Sequence, residues 1–505
     1  MMAPMTPLDS LSLARGRRLL LVTIAVAAAL ALAGSQAPAT ITDRTAQVDT
    51  VFARFTSTTP GCAVGVGLDG RPALQRAYGM ADLEHDVPNA AGTIFEAGSV
   101  SKQFTAAAVL LLARDGKLSL DDAVRKYIPE LPAYAEGSGG APPKALRAEG
   151  GPDYGVPLTI RHMLTHTSGL RDWGEVAGIA GWPRGRRVHT HAHVLDIVSR
   201  QKALNFTPGT DWSYSNTGYN LAAIIVSRVS GQTFADFSRD RLFRPLGMTH
   251  TSWRDDYTRI VKGRAVAYDS TPDGYHEDMP FENVHGNGGL LTTVGDLLRW
   301  NENFVTPAVG DAAFLKEEQT PGRFNDGRAH DYALGLYVRP WRGVPEVSHS
   351  GSTAGYRAFL ARYPDQHLSV AVLCNAGDAN ATQYAHAVAE AYLGGVLKPA
   401  AAPAGGGRGA AQGTPAFQAD AADVASYPGR YTSDEAETVL TVAKDGADLV
   451  IKRRPDTTLR MRPVSRDVFA VPTLGTVTFR RDQGRQVTGL SVKLDRVWDM
   501  RFRRE

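Results

Sequence analysis

GSVSKQFTAAAVLLLAR, residues 98–114, places a serine and a lysine three positions apart at the start of an apolar helical run. Residues three apart on a helix share one face, so the amine of Lys102 is expected one turn along from the hydroxyl of Ser99. A serine becomes nucleophilic when a neighbour takes its proton, and a lysine does this when burial and positive potential lower its pKa. A helix N-terminus supplies that potential, and its free N–H groups suit an oxyanion. The stretch therefore predicts a nucleophile and its base on one helix.

The Ser-x-x-Lys pattern is not specific by itself, because about one chance match is expected in a chain of this length. A second match runs from Ser199 to Lys202, directly after the helical run 191–198. Its serine would lie at the wrong end of a helix, where carbonyls point outward, so we predict a surface position. For Ser99 the alternative interpretation is a helix-capping serine beside a solvated lysine.

Two further motifs favour the catalytic interpretation. Tyr214-Ser215-Asn216 lies in the loop 207–220, which is rich in Gly, Pro, Ser and Asn and leads into a helix from Asn220. His349-Ser350-Gly351 ends one predicted strand and leads toward the next. Each motif alone is more often structural, as a buried tyrosine or a turn histidine. Because the two motifs follow Ser99 and Lys102 in this order along the chain, the catalytic interpretation becomes the favoured one.

With these motifs the chain resembles the serine β-lactamase and penicillin-binding protein group, in its class C-like branch. Residues 99–102 match its SxxK, residues 214–216 its YxN, and residues 349–351 its third motif, which is usually Lys-Thr-Gly. Four supporting stretches also look like this family: 158–170, 219–237, 241–253 and 286–300. The resemblance covers roughly residues 43–394.

The resemblance implies a role for each matched residue. Ser99 resembles the acyl-forming nucleophile, Lys102 its base, and Tyr214 the group that shuttles protons and activates water. Whether Lys102 or Tyr214 is the first base stays open. Asn216 would hold the substrate amide, and the pocket lining would come from His349, Ser350 and Gly351. The oxyanion hole would consist of the backbone N–H groups of Ser99 and Ser352.

One departure from the family pattern bears on the substrate. His349 stands where β-lactamases have a lysine, and a histidine is mostly neutral at pH 7 unless an anion raises its pKa. A permanent anchor for a substrate carboxylate is thereby weakened. Family members with a histidine here tend to be peptidases acting on D-residues or esterases. We therefore rank D-amino-acid peptides first, esters second and β-lactams third.

The predicted fold class is α/β (α+β), an antiparallel sheet flanked by helices with an inserted helical subdomain. Strand-like runs are predicted at 62–68 and 73–81 near the start of the main domain and at 344–348, 356–363 and 368–374 near its end, and helical patterns dominate from 160 to 304. The hydrolase domain is placed at 41–396, with a surface insertion at 136–156. A Pro/Ala/Gly linker follows at 397–419, and short alternating runs at 420–505 predict a small antiparallel barrel or sandwich. The resemblance further implies paired first and last strands, which would bring Cys62 near Cys374; whether they are bridged stays open.

Residues 1–33 are interpreted as a signal peptide. Arg15, Arg17 and Arg18 precede an apolar run at 19–33 that ends in Ala-Leu-Ala. An uncleaved membrane anchor is the alternative, although the run is short for a bilayer span. The protein is therefore predicted to be exported, to the periplasm or the extracellular space.

Composition narrows the remaining function classes. The 505 residues are 43% hydrophobic with a net charge of +3, which argues against a disordered chain and gives no reason to expect a nucleic-acid partner. Neither a metal nor an organic cofactor is predicted, because the histidines of residues 189–193 are spaced i, i+2 and diverge on a helix. No GxSxG appears, which disfavours an α/β-hydrolase.

The sequence thus predicts an exported serine hydrolase that acts through an acyl-enzyme on amide or ester bonds, with a small molecule or short peptide as substrate. A carboxylesterase or weak β-lactamase of the same fold is the nearest alternative. The alternative from another class is a non-catalytic protein that binds cell-wall peptides.

Overall fold

The computed structural model describes residues 41–133, 154–400, 417, 420–446 and 448–505. The predicted signal segment 1–33, most of the insertion 136–156 and most of the linker 397–419 lie outside the described residues. Within the described part, no helix is long and apolar enough to cross a membrane. The chain divides into two compact units, residues 1–49 and residues 50–505. The second unit contains both the sheet and the barrel.

A six-stranded antiparallel sheet forms the centre of the hydrolase domain. Its spatial order is β3-β4-β5-β6-β1-β2, so the first two strands of the chain complete a sheet that the last four begin. The strands are β1 Cys62–Leu68, β2 Arg71–Tyr78, β3 Tyr337–Trp341, β4 Val344–Thr353, β5 Tyr356–Tyr363 and β6 Leu368–Cys374. The predicted antiparallel sheet is confirmed, and β1, β5 and β6 have the predicted bounds.

Strand β4 is longer than the sequence analysis predicted. It was expected to end before the His349 motif, but it continues to Thr353, so His349, Ser350 and Gly351 lie within the strand. The reason is pairing, because residues 347–353 of β4 form a continuous ladder with residues 356–362 of β5. A small polar sequence thus stays extended through tertiary hydrogen bonds rather than local propensity.

Eleven α-helices accompany the strands in the described chain. They are α1 Ile41–Val51, α2 Ser101–Arg114, α3 Ile160–Leu164, α4 Trp173–Ile179, α5 His191–Ser199, α6 Asn216–Ser230, α7 Phe234–Ser238, α8 Val294–Glu302, α9 Ala312–Gln319, α10 Ala381–Leu393 and α11 Ala421–Ser426. The helical middle also contains short strands that were not predicted, among them the hairpin Tyr268–Thr271 and Gly274–Glu277. This hairpin is mostly exposed, so it lacks the apolar alternation by which strands are recognised.

Helix α2 lies inside the domain rather than on its surface. Every residue from Ser101 to Leu112 is buried, which is typical of a helix covered on all sides. Alanines over much of its length allow close approach, and α6 packs against it. On the sheet, α8 packs so closely on β1 that a Cβ at Gly65 would lie 3.1 Å from Leu298. Trp300 of α8 also packs on Phe104 of α2 and donates to Oε1 of Gln103, so contacts with both α6 and α8 fix the position of the SxxK helix.

The two cysteines are joined. Cys62 at the start of β1 lies directly opposite Cys374 at the end of β6 in the antiparallel register, and the structure bonds their sulfurs. The pairing that the sequence left open is therefore a disulfide between the first and last strands of the central sheet.

The C-terminal region is a closed barrel of eight antiparallel strands, which confirms the barrel and removes the sandwich alternative. Its strands are β7 Gly429–Ser433, β8 Thr438–Asp445, β9 Asp448–Arg453, β10 Thr457–Ser465, β11 Val468–Val471, β12 Gly475–Arg481, β13 Val487–Lys493 and β14 Met500–Arg504. Val176 and Ile179 of α4 belong to the barrel's own apolar cluster. A buried ion pair between Arg171 and Glu435 adds a polar connection. The barrel is thus docked on the helical subdomain.

Candidate active site

Ser99 lies in a tight turn that opens the buried helix. Residues Gly98–Val100 form a 3₁₀ turn that runs directly into α2 at Ser101. Gly98 has φ +51°, and a Cβ on it would lie 2.6 Å from the backbone nitrogen of Ser352 in β4. Only glycine fits this approach of backbone to backbone. The turn therefore sets Ser99 at a helix N-terminus beside the edge of β4, with its side chain partly exposed.

Lys102 lies fully buried with its amine against Ser99. Its Nζ is 3.1 Å from Ser99 Oγ, 2.9 Å from Oδ1 of Asn216 and 2.7 Å from the backbone oxygen of Asn287. The last two atoms can only accept hydrogen bonds. A neutral amine has two N–H groups for these acceptors and keeps one lone pair, which then faces the hydroxyl of Ser99.

The surroundings favour the neutral amine. Burial, followed by the positive charge of Arg496, holds the pKa of Lys102 well below its usual 10.5. The ring of Tyr214 lies 4.8 Å from Nζ, and the carboxylate of Asp172 raises the pKa of Lys102 by less than burial and Arg496 lower it. Lys102 is thus held toward the neutral form that can accept the serine proton.

Tyr214 completes the group around Ser99. Tyr214 and Ser99 line the same pocket and their side chains interact, and burial raises the pKa of Tyr214 above its usual 10. The phenol is therefore neutral at pH 7 and can both donate and accept a hydrogen bond. Behind it, the Ser215 N–H donates to Nδ1 of His166 at 3.1 Å, and the His166 ring lies 4.2 Å from that of Tyr214. This contact fixes the loop before α6.

Asn216 is the first residue of α6 rather than part of a free loop, because the helix starts four residues before the predicted Asn220. Its backbone N–H donates to Oδ2 of Asp172 at 2.8 Å. Its side-chain Oδ1 accepts from Lys102, so Nδ2 is the end of the amide that is available to a substrate carbonyl.

His349 is buried and held by both ring nitrogens. Nδ1 lies 2.6 Å from the backbone oxygen of Ser350, and Nε2 lies 3.0 Å from the hydroxyl of Tyr332. A carbonyl only accepts, so Nδ1 carries the proton and Nε2 accepts from the tyrosine. Burial, followed by the proximity of the Lys102 amine, lowers the pKa of His349 to about 3. The ring is therefore a neutral part of the pocket wall.

The rest of the third motif lies beside the helix start. A Cβ on Gly351 would lie 2.0 Å from the backbone oxygen of Ala97, so glycine is required there. Ser350 and Ser352 are exposed and line the pocket together with Ser99. The structure thus brings together all eight residues that the sequence analysis named: Ser99, Lys102, Tyr214, Asn216, His349, Ser350, Gly351 and Ser352.

A pocket of about 680 Å³ opens over Ser99, which is a size suited to a small molecule or a short peptide. Three arginines line it, namely Arg184, Arg357 and Arg496. No aspartate or glutamate of the described chain is among the lining residues. The side chains that line the pocket therefore include cations and no anion, although Glu282 and Asp172 lie behind Arg184 and Arg496.

The two competing patterns of the sequence do not form sites. Ser199 is exposed at the last residue of α5, and Lys202 is also exposed, as predicted for a surface pair. Nε2 of His191 lies 2.9 Å from the backbone oxygen of His285, and no group of side chains that could hold a metal ion occurs in the described parts of residues 41–133 and 154–505.

Sequence reasoning missed several residues of the site. His166 and Asn287 lie in stretches that carried the family resemblance, so a signal for them was present. Asp172 and Arg496 had none. Arg496 lies in the barrel, in the loop between β13 and β14, and its guanidinium lies 4.7 Å from the ring of Tyr214. Only tertiary structure places a barrel residue beside the SxxK helix.

The fold and the pocket together define a serine hydrolase with the β-lactamase fold. The Beta-lactamase family model matches residues 48–393, so the chain belongs to the beta-lactamase family. The family and the enzyme class that the sequence predicted are thereby confirmed.

Individual relatives point in the same direction. Penicillin-binding protein 4* of Bacillus subtilis is 30% identical over 339 residues, which cover 62% of this chain and 67% of that protein. A D-aminopeptidase of Cereibacter sphaeroides is 27% identical over 439 residues, 83% of this chain and 79% of that one. The solved structure of an octameric penicillin-binding protein homologue from Pyrococcus abyssi covers 92% of this chain and 99% of its own, with a TM-score of 0.60 and 21% identity. That last likeness shows the fold alone.

Proposed function

We propose that the protein is an exported serine hydrolase that forms an acyl-enzyme on Ser99 and cleaves amide or ester bonds, with peptides containing D-amino acids as first substrates. The observation that carries this proposal is the environment of Lys102. Its buried amine faces Ser99 Oγ at 3.1 Å while two carbonyl oxygens take up its N–H groups.

The proposed reaction begins with transfer of the Ser99 proton to the neutral amine of Lys102. Ser99 Oγ then attacks the carbonyl carbon, and the oxyanion accepts from the backbone N–H groups of Ser99 and Ser352. The resulting Lys102 ammonium and the hydroxyl of Tyr214 return a proton to the leaving amine or alcohol. Water, deprotonated along the same route, releases the acyl group.

The protonation states favour Lys102 over Tyr214 as the first base. The pKa of Lys102 is lowered and that of Tyr214 is raised, each mainly by burial. An amine with a free lone pair takes the serine proton more easily than a neutral phenol does. Tyr214 is therefore assigned the relay between Lys102 and the leaving group.

The order of substrates rests on His349 and on the relatives. A buried, neutral His349 does not supply the cation that the third motif of β-lactamases provides, so β-lactams stay in third place. The similarity to a D-aminopeptidase supports D-residue substrates ahead of simple esters.

Export is proposed from the signal-like segment and the disulfide. A bridge between Cys62 and Cys374 persists in an oxidising compartment such as the periplasm or the extracellular space. Mass spectrometry of the native protein after alkylation without reductant tests whether the bridge is formed. Two alkylated thiols would contradict it.

A fluorophosphonate probe tests the nucleophile. We expect labelling of the wild-type protein and of Ser199→Ala, which removes the serine of the second SxxK match. Ser99→Ala should lose both the label and turnover of p-nitrophenyl esters and D-amino-acid amides. No labelling of the wild type, or labelling that survives Ser99→Ala, would favour the non-catalytic peptide-binding protein instead.

A further inference from the structure

Arg496 reaches the active site from a loop that is firmly docked. Its backbone N–H donates to Oε2 of Glu175 at 3.0 Å, and its backbone oxygen accepts from Nδ2 of Asn205 at 3.0 Å. The neighbouring Trp498 donates its N–H to Oδ1 of Asn205 and packs its ring on Phe206. Backbone hydrogen bonds and the ring of Trp498 therefore attach the loop to the hydrolase domain, and none of these contacts uses the side chain of Arg496.

The guanidinium itself has spare binding capacity. It lies 4.7 Å from the Tyr214 ring, and its nearest carboxylate is Asp172, at 3.8 Å. Asp172 accepts its hydrogen bonds from the backbone N–H groups of Gly174, Glu175 and Asn216, so its contact with Arg496 is an ion pair without a hydrogen bond. Within the described chain the guanidinium of Arg496 donates no hydrogen bond, and 37% of its side chain is exposed. Its N–H groups are available to a ligand in the pocket.

Of the three arginines that line the pocket, Arg496 is the one whose guanidinium donates no hydrogen bond within the described chain, since Arg357 donates to the backbone oxygens of Ala354 and Tyr356. His349 is neutral, and Lys102 is buried with its N–H groups directed at protein carbonyls. Arg184 donates two hydrogen bonds to Glu282, which neutralises it. Arginine stays protonated over the working pH range, and its planar fork matches a carboxylate.

We propose that Arg496 of the barrel binds a carboxylate of the substrate, so that the enzyme prefers acidic substrates and disfavours those with a free ammonium group near the scissile bond. The inference rests on the proposed function, since it presupposes turnover at Ser99. It departs from the aminopeptidase relative, because a pocket wall with arginines and no carboxylate offers no partner to the ammonium that an aminopeptidase substrate carries.

Two substrate pairs test the preference and locate the carboxylate. The first is N-acetyl-D-alanyl-D-alanine against its C-terminal amide, which probes a terminal carboxylate. The second is the p-nitroanilide of N-acetyl-D-glutamate against that of N-acetyl-D-glutamine, which probes an acidic side chain. Wild type should show a higher kcat/KM for the acid in at least one pair, and that pair identifies the source.

Substitution of Arg496 separates binding from folding. Arg496→Gln should lower the acid-to-neutral ratio of kcat/KM about 10- to 100-fold, the value of one charged hydrogen-bonded contact. Arg496→Lys keeps the charge but loses the bidentate geometry, so its acid-to-neutral ratio of kcat/KM should lie between those of the wild type and Arg496→Gln. The matched control is Arg501→Gln, an exposed barrel arginine paired with Asp499, and it should keep the wild-type ratio.

The outcomes distinguish this inference from the proposed function. Fluorophosphonate labelling of Ser99 in every variant shows that each protein is folded and that the nucleophile works. Labelled variants with an unchanged ratio, or a wild type that prefers the neutral member of both pairs, would overturn the role of Arg496 while the hydrolase stands. Absence of labelling in the wild type would instead overturn the hydrolase.

Discussion

The Nζ of Lys102 and the Oδ1 of Asn216 are 2.9 Å apart, which ties the first residue of α6 to the amine that faces the nucleophile. The contact joins two motifs that are 114 residues apart in the chain. Because Asn216 and the Asn287 carbonyl hold both N–H groups of a neutral amine, they also set the direction of its lone pair. The protonation state of Lys102 is therefore the quantity that most of the predicted behaviour depends on.

Lys102→Arg should lower kcat/KM about 10²- to 10⁴-fold on any substrate, because a guanidinium has no lone pair for the Ser99 proton. The measurement is steady-state hydrolysis of a p-nitrophenyl ester from pH 5 to 10. Lys202→Arg alters the lysine of the exposed second SxxK match and should behave like wild type. Activity of Lys102→Arg within threefold of wild type would assign the base to another group.

His349→Gln should leave the shape of the pH profile between pH 5 and 8 unchanged. The pKa of His349 is about 3, so the ring stays neutral throughout this range. Glutamine keeps a donor and an acceptor for Ser350 and Tyr332, which preserves the strand. An ascending limb near pH 6 that disappears in the variant would show that His349 titrates during catalysis.

Glu175→Gln should remove a pH dependence of stability. Burial raises the pKa of Glu175 to about 7 from the usual 4.5, so between these values the folded protein holds a proton that the unfolded chain has released. Deprotonation of the buried carboxyl therefore destabilises the fold, and the free energy of unfolding falls as pH rises through this window. Glu175 is partly exposed, so solvent screens the effect. The free energy of unfolding of the variant should exceed that of the wild type by about 1–2 kcal/mol at pH 8 and should equal it at pH 4.5.

Urea unfolding at both pH values measures this difference. Glutamine still accepts the Arg496 N–H through its oxygen, so the loop contact is kept. The exposed Glu437→Gln serves as the control and should not change the difference between pH 8 and pH 4.5. A gain of equal size at both pH values would contradict the titration of Glu175.

Glu435→Ala should lower the free energy of unfolding by about 3–5 kcal/mol, because it leaves the buried guanidinium of Arg171 without its partner. Glu437→Ala removes a neighbouring carboxylate of the same barrel that is exposed and pairs with Arg200 at 3.5 Å. That control should change stability by less than about 1 kcal/mol. Equal effects of the two substitutions would show that the buried pair does not hold the barrel in place.

Local pattern was sufficient for much of the fold. Strand-like apolar runs predicted the bounds of β1, β5 and β6, because these strands are buried along most of their length. The hairpin Tyr268–Thr271 and Gly274–Glu277 escaped prediction, because an exposed strand needs no apolar face.

The sequence by itself determined the identity of the chemical groups, since SxxK, YxN and HxG name a hydroxyl, an amine, a phenol and an amide in a recognisable order. It could not determine their protonation, because the pKa values of Lys102 and His349 depend on burial by segments far away in the chain. Nor could it place Arg496 beside Tyr214, since that contact exists only after the barrel docks on α4. Burial and electrostatic fields come from the packing of distant segments, so only the tertiary structure decided which of these groups are charged and what faces the substrate.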